Sequence, residues 1–100
     1  MLSKEFLDGK HSYRIHKDDM PRFLEECDHS GLEWWFRKHE RACTFDPFVF
    51  YKGMSRRWLF PVMRIDDPFY VYVKCLNGIL YWSYHYDWEM QPFKEYSPDA

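Results

Sequence analysis

The chain has 100 residues, 22% of them aromatic, and a formal net charge of −2. That length holds one domain, residues 1–100, and the apolar content is ample for a core, which excludes a disordered chain. The near-neutral balance argues against both a broadly basic nucleic-acid binder and a strongly acidic mimic of one.

Taken in order, Ser3 is placed to cap a very short helix over Lys4 to Asp8, with Gly9 ending it. His11 to His16 reads as a strand with Tyr13 and Ile15 on one side. Asp18 or Asp19 then caps a helix that runs to about Ser30, with Pro21 in its first turn, where a missing N–H costs little. Met20, Phe23, Leu24 and Cys27 recur at helical spacing and form one apolar stripe, and Gly31 is the expected left-handed stop. Leu32 to Arg37 follows as a strand, with Leu32, Trp34 and Phe36 on one face. Lys38 to Thr44 reads as a loop and Phe48 to Tyr51 as a short strand ended by Lys52-Gly53. Met54 to Arg57 reads as a turn. Trp58 to Ile65 reads as a strand whose Pro61 confines it to an edge or a bulge. Asp66-Asp67-Pro68 turns into the next hairpin.

The stretch Phe69 to Tyr86, FYVYVKCLNGILYWSYHY, carries the clearest signal. Asn77-Gly78 suits the two positive-φ positions of a type I′ turn, and a two-residue turn fixes the register. Leu76 then faces Ile79, Cys75 Leu80, Lys74 Tyr81, Val73 Trp82, Tyr72 Ser83, Val71 Tyr84 and Tyr70 His85. Alternation puts Val71, Val73, Cys75, Leu80, Trp82 and Tyr84 on a core face. The other face carries Tyr70, Tyr72, Lys74, Tyr81, Ser83 and His85. Beyond Tyr86 the chain turns polar and is broken by Pro92 and Pro98, with Phe93 and Tyr96 able to dock on the body. The fold class is α+β: one main amphipathic helix packed on a largely antiparallel sheet of about five strands.

No apolar run approaches the length of a bilayer span, and the first residues lack a signal peptide's apolar stretch, so a cytoplasmic setting is expected. Three widely spaced cysteines fit free thiols better than a disulfide framework.

The run YRIHKDDMPRFLEECDHSGLEW, Tyr13 to Trp34, reads strand, acidic cap, amphipathic helix, glycine and aromatic strand. It resembles the opening of many short, uncharacterised proteins encoded by phages and prophages. It departs from that pattern where a glycine often follows the tryptophan, since Trp35 and Phe36 stand here. The resemblance implies a phage origin and an inhibitor of a host or antiviral-defence protein; it carries over no catalytic residue.

The residues offer little catalytic chemistry. Cys27, His29, His39 and Cys43 are the nearest approach to a zinc set, but Cys27 and His29 diverge on a helix and Cys27 belongs to the apolar stripe, so no metal is expected. Nothing in the sequence brings His11, His16, His29, His39 or His85 to a serine, cysteine or aspartate, and Cys75 lies on the core face. The pairs Asp18-Asp19, Glu25-Glu26 and Asp66-Asp67 fall on caps and turns. No enzymatic activity and no cofactor follow.

Binding readings remain. Tyrosines are enriched at protein interfaces, and Tyr70, Tyr72, Tyr81, His85 and Trp88 form the expected partner-binding set, for a host or defence protein or a second copy of the chain. The competing arrangement folds the C-terminal segment, with Phe93 and Tyr96, over the same face. The alternative function is single-stranded nucleic-acid binding by basic groups interleaved with aromatics: Trp35, Arg37, Arg41, Arg56, Arg57 and Trp58.

Overall fold

The computed structural model describes residues 1–49, 68–86 and 88–98, with the backbone alone at Trp88. The expected turn from Met54 to Arg57, the strand from Trp58 to Ile65, and Phe50, Tyr51, Lys52, Gly53, Asp66 and Asp67 lie outside the described residues.

Two helices and five strands are described: α1 (Lys4–Leu7), β1 (Ser12–His16), α2 (Met20–His29), β2 (Glu33–Trp34), β3 (Tyr70–Leu76), β4 (Ile79–Ser83) and β5 (Phe93–Glu95). Two 3₁₀ turns, Ala42–Thr44 and Trp88–Met90, and a helical stretch over 47–49 accompany them. The strands form one sheet in the order β2-β4-β3-β1-β5. The central pairs β1–β3 and β3–β4 are antiparallel, whereas β2 joins β4 and β5 joins β1 in parallel. The architecture is α+β, with an antiparallel centre and a parallel strand on each side.

The central hairpin has the register that its turn dictates, from Leu76 opposite Ile79 to Tyr72 opposite Ser83. Asn77 and Gly78 both take positive φ, 52° and 81°. β4 ends at Ser83, so the expected pairs of Val71 with Tyr84 and Tyr70 with His85 do not form. β1 lies on the other side of β3, with Tyr13 opposite Val73 and Ile15 opposite Val71. This brings Tyr13, Ile15, Val71, Val73, Cys75 and Leu80 onto one buried face.

Both helices close on that face. Met20, Phe23, Leu24 and Cys27 of α2 are buried in it, and Phe6 of α1 stacks on Tyr13 at 4.4 Å between ring centroids. α2 ends in a Schellman closure: Gly31 (φ 71°) donates to the Asp28 carbonyl and Leu32 to the Cys27 carbonyl. Asp19 is the N-cap residue, but its side chain caps nothing, because its backbone is already helical. At α1, Ser3 Oγ accepts from the Phe6 amide at 3.2 Å, and Gly9 closes the other end.

The strand expected over Leu32 to Arg37 stops after Trp34. The Trp34 carbonyl accepts from the Arg37 amide at 3.0 Å, which bends the chain into a turn and leaves Phe36 40% exposed rather than inside. The strand expected to begin at Phe48 is helical over 47–49. The C-terminal segment supplies a strand where none was expected, and Tyr96 docks in the core between Tyr13 and Phe23.

Candidate functional site

Arg14, His16, Tyr70, Tyr72, Lys74, Tyr81, Ser83, Phe93 and Glu95 share the sheet face opposite α1 and α2, by register. It is not one open tyrosine surface. Tyr86 and Phe93 pack on Tyr72, at 5.5 and 5.4 Å, leaving it 8% exposed. Ser12 beneath donates to the buried Met90 sulfur at 3.7 Å. The C-terminal return therefore covers the middle of this face, and Tyr72 drops out of the expected partner-binding set. Phe93 covers this face, as in the competing arrangement, whereas Tyr96 lies on the opposite one.

The rest of that set is dispersed. Tyr81 is 38% exposed at the β4 side, and Tyr70 is half-buried beneath the Arg14 guanidinium, 3.7 Å above its ring. Arg14 also pairs with Glu95. The imidazole beside Tyr70 is His16, at 5.1 Å, whereas His85 is turned into a local loop in which Ser83 Oγ donates to its carbonyl at 2.7 Å. Trp88 belongs to the second 3₁₀ turn.

A denser aromatic group forms where β2 ends. Trp34 is 1% exposed and donates from Nε1 to the Ala42 carbonyl at 3.0 Å, which pins the 38–44 loop to the sheet. Trp82 crosses it edge-on at 5.6 Å, and Phe45 packs on both. The turn after Trp34 then lays two more rings over this base. Phe36 meets Phe45 at 4.8 Å and Trp82 at 5.4 Å, and Trp35 lies 5.4 Å from Phe36. Trp35 remains 50% exposed. The Arg37 guanidinium sits 5.4 and 5.5 Å from the Phe36 and Phe45 rings, within cation–π reach, and 3.6 Å from Glu40. Two exposed rings are thus held on a base of buried Trp34 and Phe45 and half-buried Trp82, with a cation at the rim.

Of the residues expected to bind single strands, Trp35 and Arg37 meet in this group. Arg41 does not: it forks onto Asp28, 2.7 Å from Nη2 to Oδ2, and its hydrogen bond holds the Asp28 carboxyl below the ordinary range. Arg56, Arg57 and Trp58 lie outside the described residues. Phe36, Phe45 and Trp82 are members that the sequence reading missed as a group. Three consecutive bulky aromatics, Trp34-Trp35-Phe36, were the available signal, because one face of a strand cannot take all three.

The structure does bring histidines to such groups: His85 Nδ1 lies 3.4 Å from Ser83 Oγ, His16 Nδ1 3.5 Å from Asp18 Oδ2, and His11 meets Ser3. His11 is 6% exposed; its Nδ1 lies 3.0 Å from the Ser12 carbonyl and its Nε2 3.1 Å from Ser3 Oγ. A carbonyl only accepts, so Nδ1 carries the proton and Nε2 takes the Ser3 hydroxyl proton. Both Ser3 lone pairs are already used, by the Phe6 amide and by the Tyr13 hydroxyl, each at 3.2 Å. Tyr13 in turn accepts from the Ser3 amide at 2.9 Å. The network caps α1 and ties it to β1.

Burial pushes the Cys27 and Cys75 thiols up, away from thiolate chemistry, and Cys43 is exposed. Among the described residues no three His, Cys, Asp or Glu side chains come together as metal ligands. Nor is any described helix long and apolar enough to cross a membrane. Comparison with protein-family models, curated proteins and solved structures finds no match.

Proposed function

We propose that this chain is a non-enzymatic protein-binding module, a phage-encoded inhibitor that works in the host cytoplasm by occluding a surface of a host or antiviral-defence protein. The observation that carries the binding reading is the pair of exposed rings, Trp35 and Phe36, fixed on this aromatic base. Large rigid aromatics lose little conformational freedom on binding, and a tryptophan beside an arginine is the composition of interface hot spots. The phage and inhibitor parts rest on the resemblance carried by Tyr13 to Trp34. The contact surface moves accordingly, from the hairpin tyrosines to the end of β2.

The single-stranded nucleic-acid reading keeps Trp35 and Arg37 but has lost Arg41 to Asp28. A tagged pull-down from host lysate, with and without nuclease, separates the two. One stoichiometric protein that survives nuclease and is not retained by a Trp35→Ala/Phe36→Ala variant is expected. Recovery that vanishes with nuclease, or that is unchanged in the variant, overturns the proposal.

A further inference from the structure

The main chain of β5 is half used. Its register on β1 places Ser12 beside Phe93, Tyr13 beside Lys94 and Arg14 beside Glu95. The Pro92 carbonyl accepts from Ser12 and the Tyr96 amide donates to Arg14. Peptide groups alternate in direction along a strand, so Lys94 faces β1 while the N–H and C=O of Phe93 and Glu95 point out of the sheet. Among the described residues nothing pairs with these four groups, since β5 ends the strand order. A cavity of about 420 Å³ adjoins this edge, lined by Leu2, Glu5, His11, Tyr13 and Lys94 among others. The opposite edge offers no such ladder, because the turn after Trp34 takes up its carbonyl.

We infer that β5 is a docking edge for an extended peptide segment, which adds as a sixth strand and places an acidic side chain opposite Lys94, above this cavity. Added strands are held by main-chain hydrogen bonds and selected by the side chains that alternate into pockets. Lys94 is exposed, and opposite charges on facing residues stabilise a strand pair. The same rule excludes a second copy as the occupant. Full two-fold overlap of the strand would set Lys94 against Lys94, like charges directly opposed. This edge lies at the other end of the strand order from Trp35 and Phe36, so the inference stands apart from the aromatic contact.

Proline at position 95 tests it. The Glu95 N–H points outward, so Glu95→Pro deletes a docking donor and leaves the β1–β5 ladder intact, while Glu95→Ala keeps the donor. The probe is a displayed library of random linear peptides selected on the full chain. Enrichment of extended sequences with an acidic residue is expected, binding Glu95→Ala like the parent and Glu95→Pro about tenfold or more weakly. On the parent protein, the bound peptide slows hydrogen exchange at the Phe93 and Glu95 amides. Equal binding to both variants, no slowing at those amides, no enriched peptide, or self-association that Glu95→Pro abolishes would each overturn the inference.

Discussion

The two edges of the sheet are built from short, parallel-paired strands of two and three residues, yet they present different chemistry. At β2 the chain bends at once, the Trp34 carbonyl is taken by Arg37, and what faces solvent is side chain: Trp35, Phe36 and the rim around them. At β5 the chain is extended over Phe93–Glu95, and what faces solvent is main chain. Edges are normally blunted by turns, charges or proline. Here a turn blunts one edge and turns it into an aromatic platform, and charge alone guards the other. The lesson is that β2 is specified by packing beneath it, so its exposed rings are only as well placed as the buried ones.

That dependence is the easiest part to break. Trp34→Ala removes a ring that is 1% exposed and leaves the Ala42 carbonyl with only the 3.4 Å bond from the Phe45 amide, and should cost about 3–5 kcal/mol in denaturant unfolding. It should also abolish partner binding without touching an exposed atom. A second, smaller loss tests the β3 end of the hairpin. A Cβ on Gly9 would lie 2.9 Å from Leu76 Cδ2 and 3.0 Å from the Cys75 carbonyl, at φ 79°. Gly9→Ala should therefore cost about 1–3 kcal/mol, with no preference between the edges.

Acid sharpens the comparison. Asp28, held by Arg41, anchors the 38–44 loop behind the aromatic platform and titrates below the ordinary carboxylate range. A lowered folded-state pKa gives stability that is present at neutral pH and lost as pH falls through that value. In Asp28→Asn the unfolding midpoint should be lower than the parent's at neutral pH, and the two should converge in acid. The Glu26 carboxyl works in the same sense. Its burial favours the protonated form, but hydrogen bonds from the Met1 amino group and Tyr96 outweigh that and lower its pKa. Smallest of all, Trp35→Ala/Phe36→Ala should shift unfolding by only about 0.5–1 kcal/mol, since the two rings are already 50% and 40% exposed.

The legible parts of this fold are those specified by adjacent residues. Asn77-Gly78 set the hairpin register outright, and the Met20, Phe23, Leu24, Cys27 stripe with Gly31 marked α2 almost to the residue. What was not legible depends on distant partners. β5 is three residues long and pairs with β1 across most of the chain, so no local pattern announced it. Tyr72 alternates correctly onto the outer face, yet it is buried there by Tyr86 and Phe93, which periodicity cannot foresee. The β2 platform was hidden because alternation was carried through to Arg37, whereas the chain turns after Trp34. The Ser3–His11–Tyr13 network was likewise invisible, since three residues on separate elements have to meet.

The central claim is that contact runs through side chains at the end of β2 and not through the hairpin tyrosines. The most direct measurement is the affinity of the captured partner for three purified forms: parent, Trp35→Ala/Phe36→Ala and Tyr70→Ala/Tyr81→Ala. A loss of about a hundredfold in the first variant, with a change of less than about threefold in the second, is the result that this structure predicts. The reverse order of losses, in variants that unfold like the parent, would contradict it.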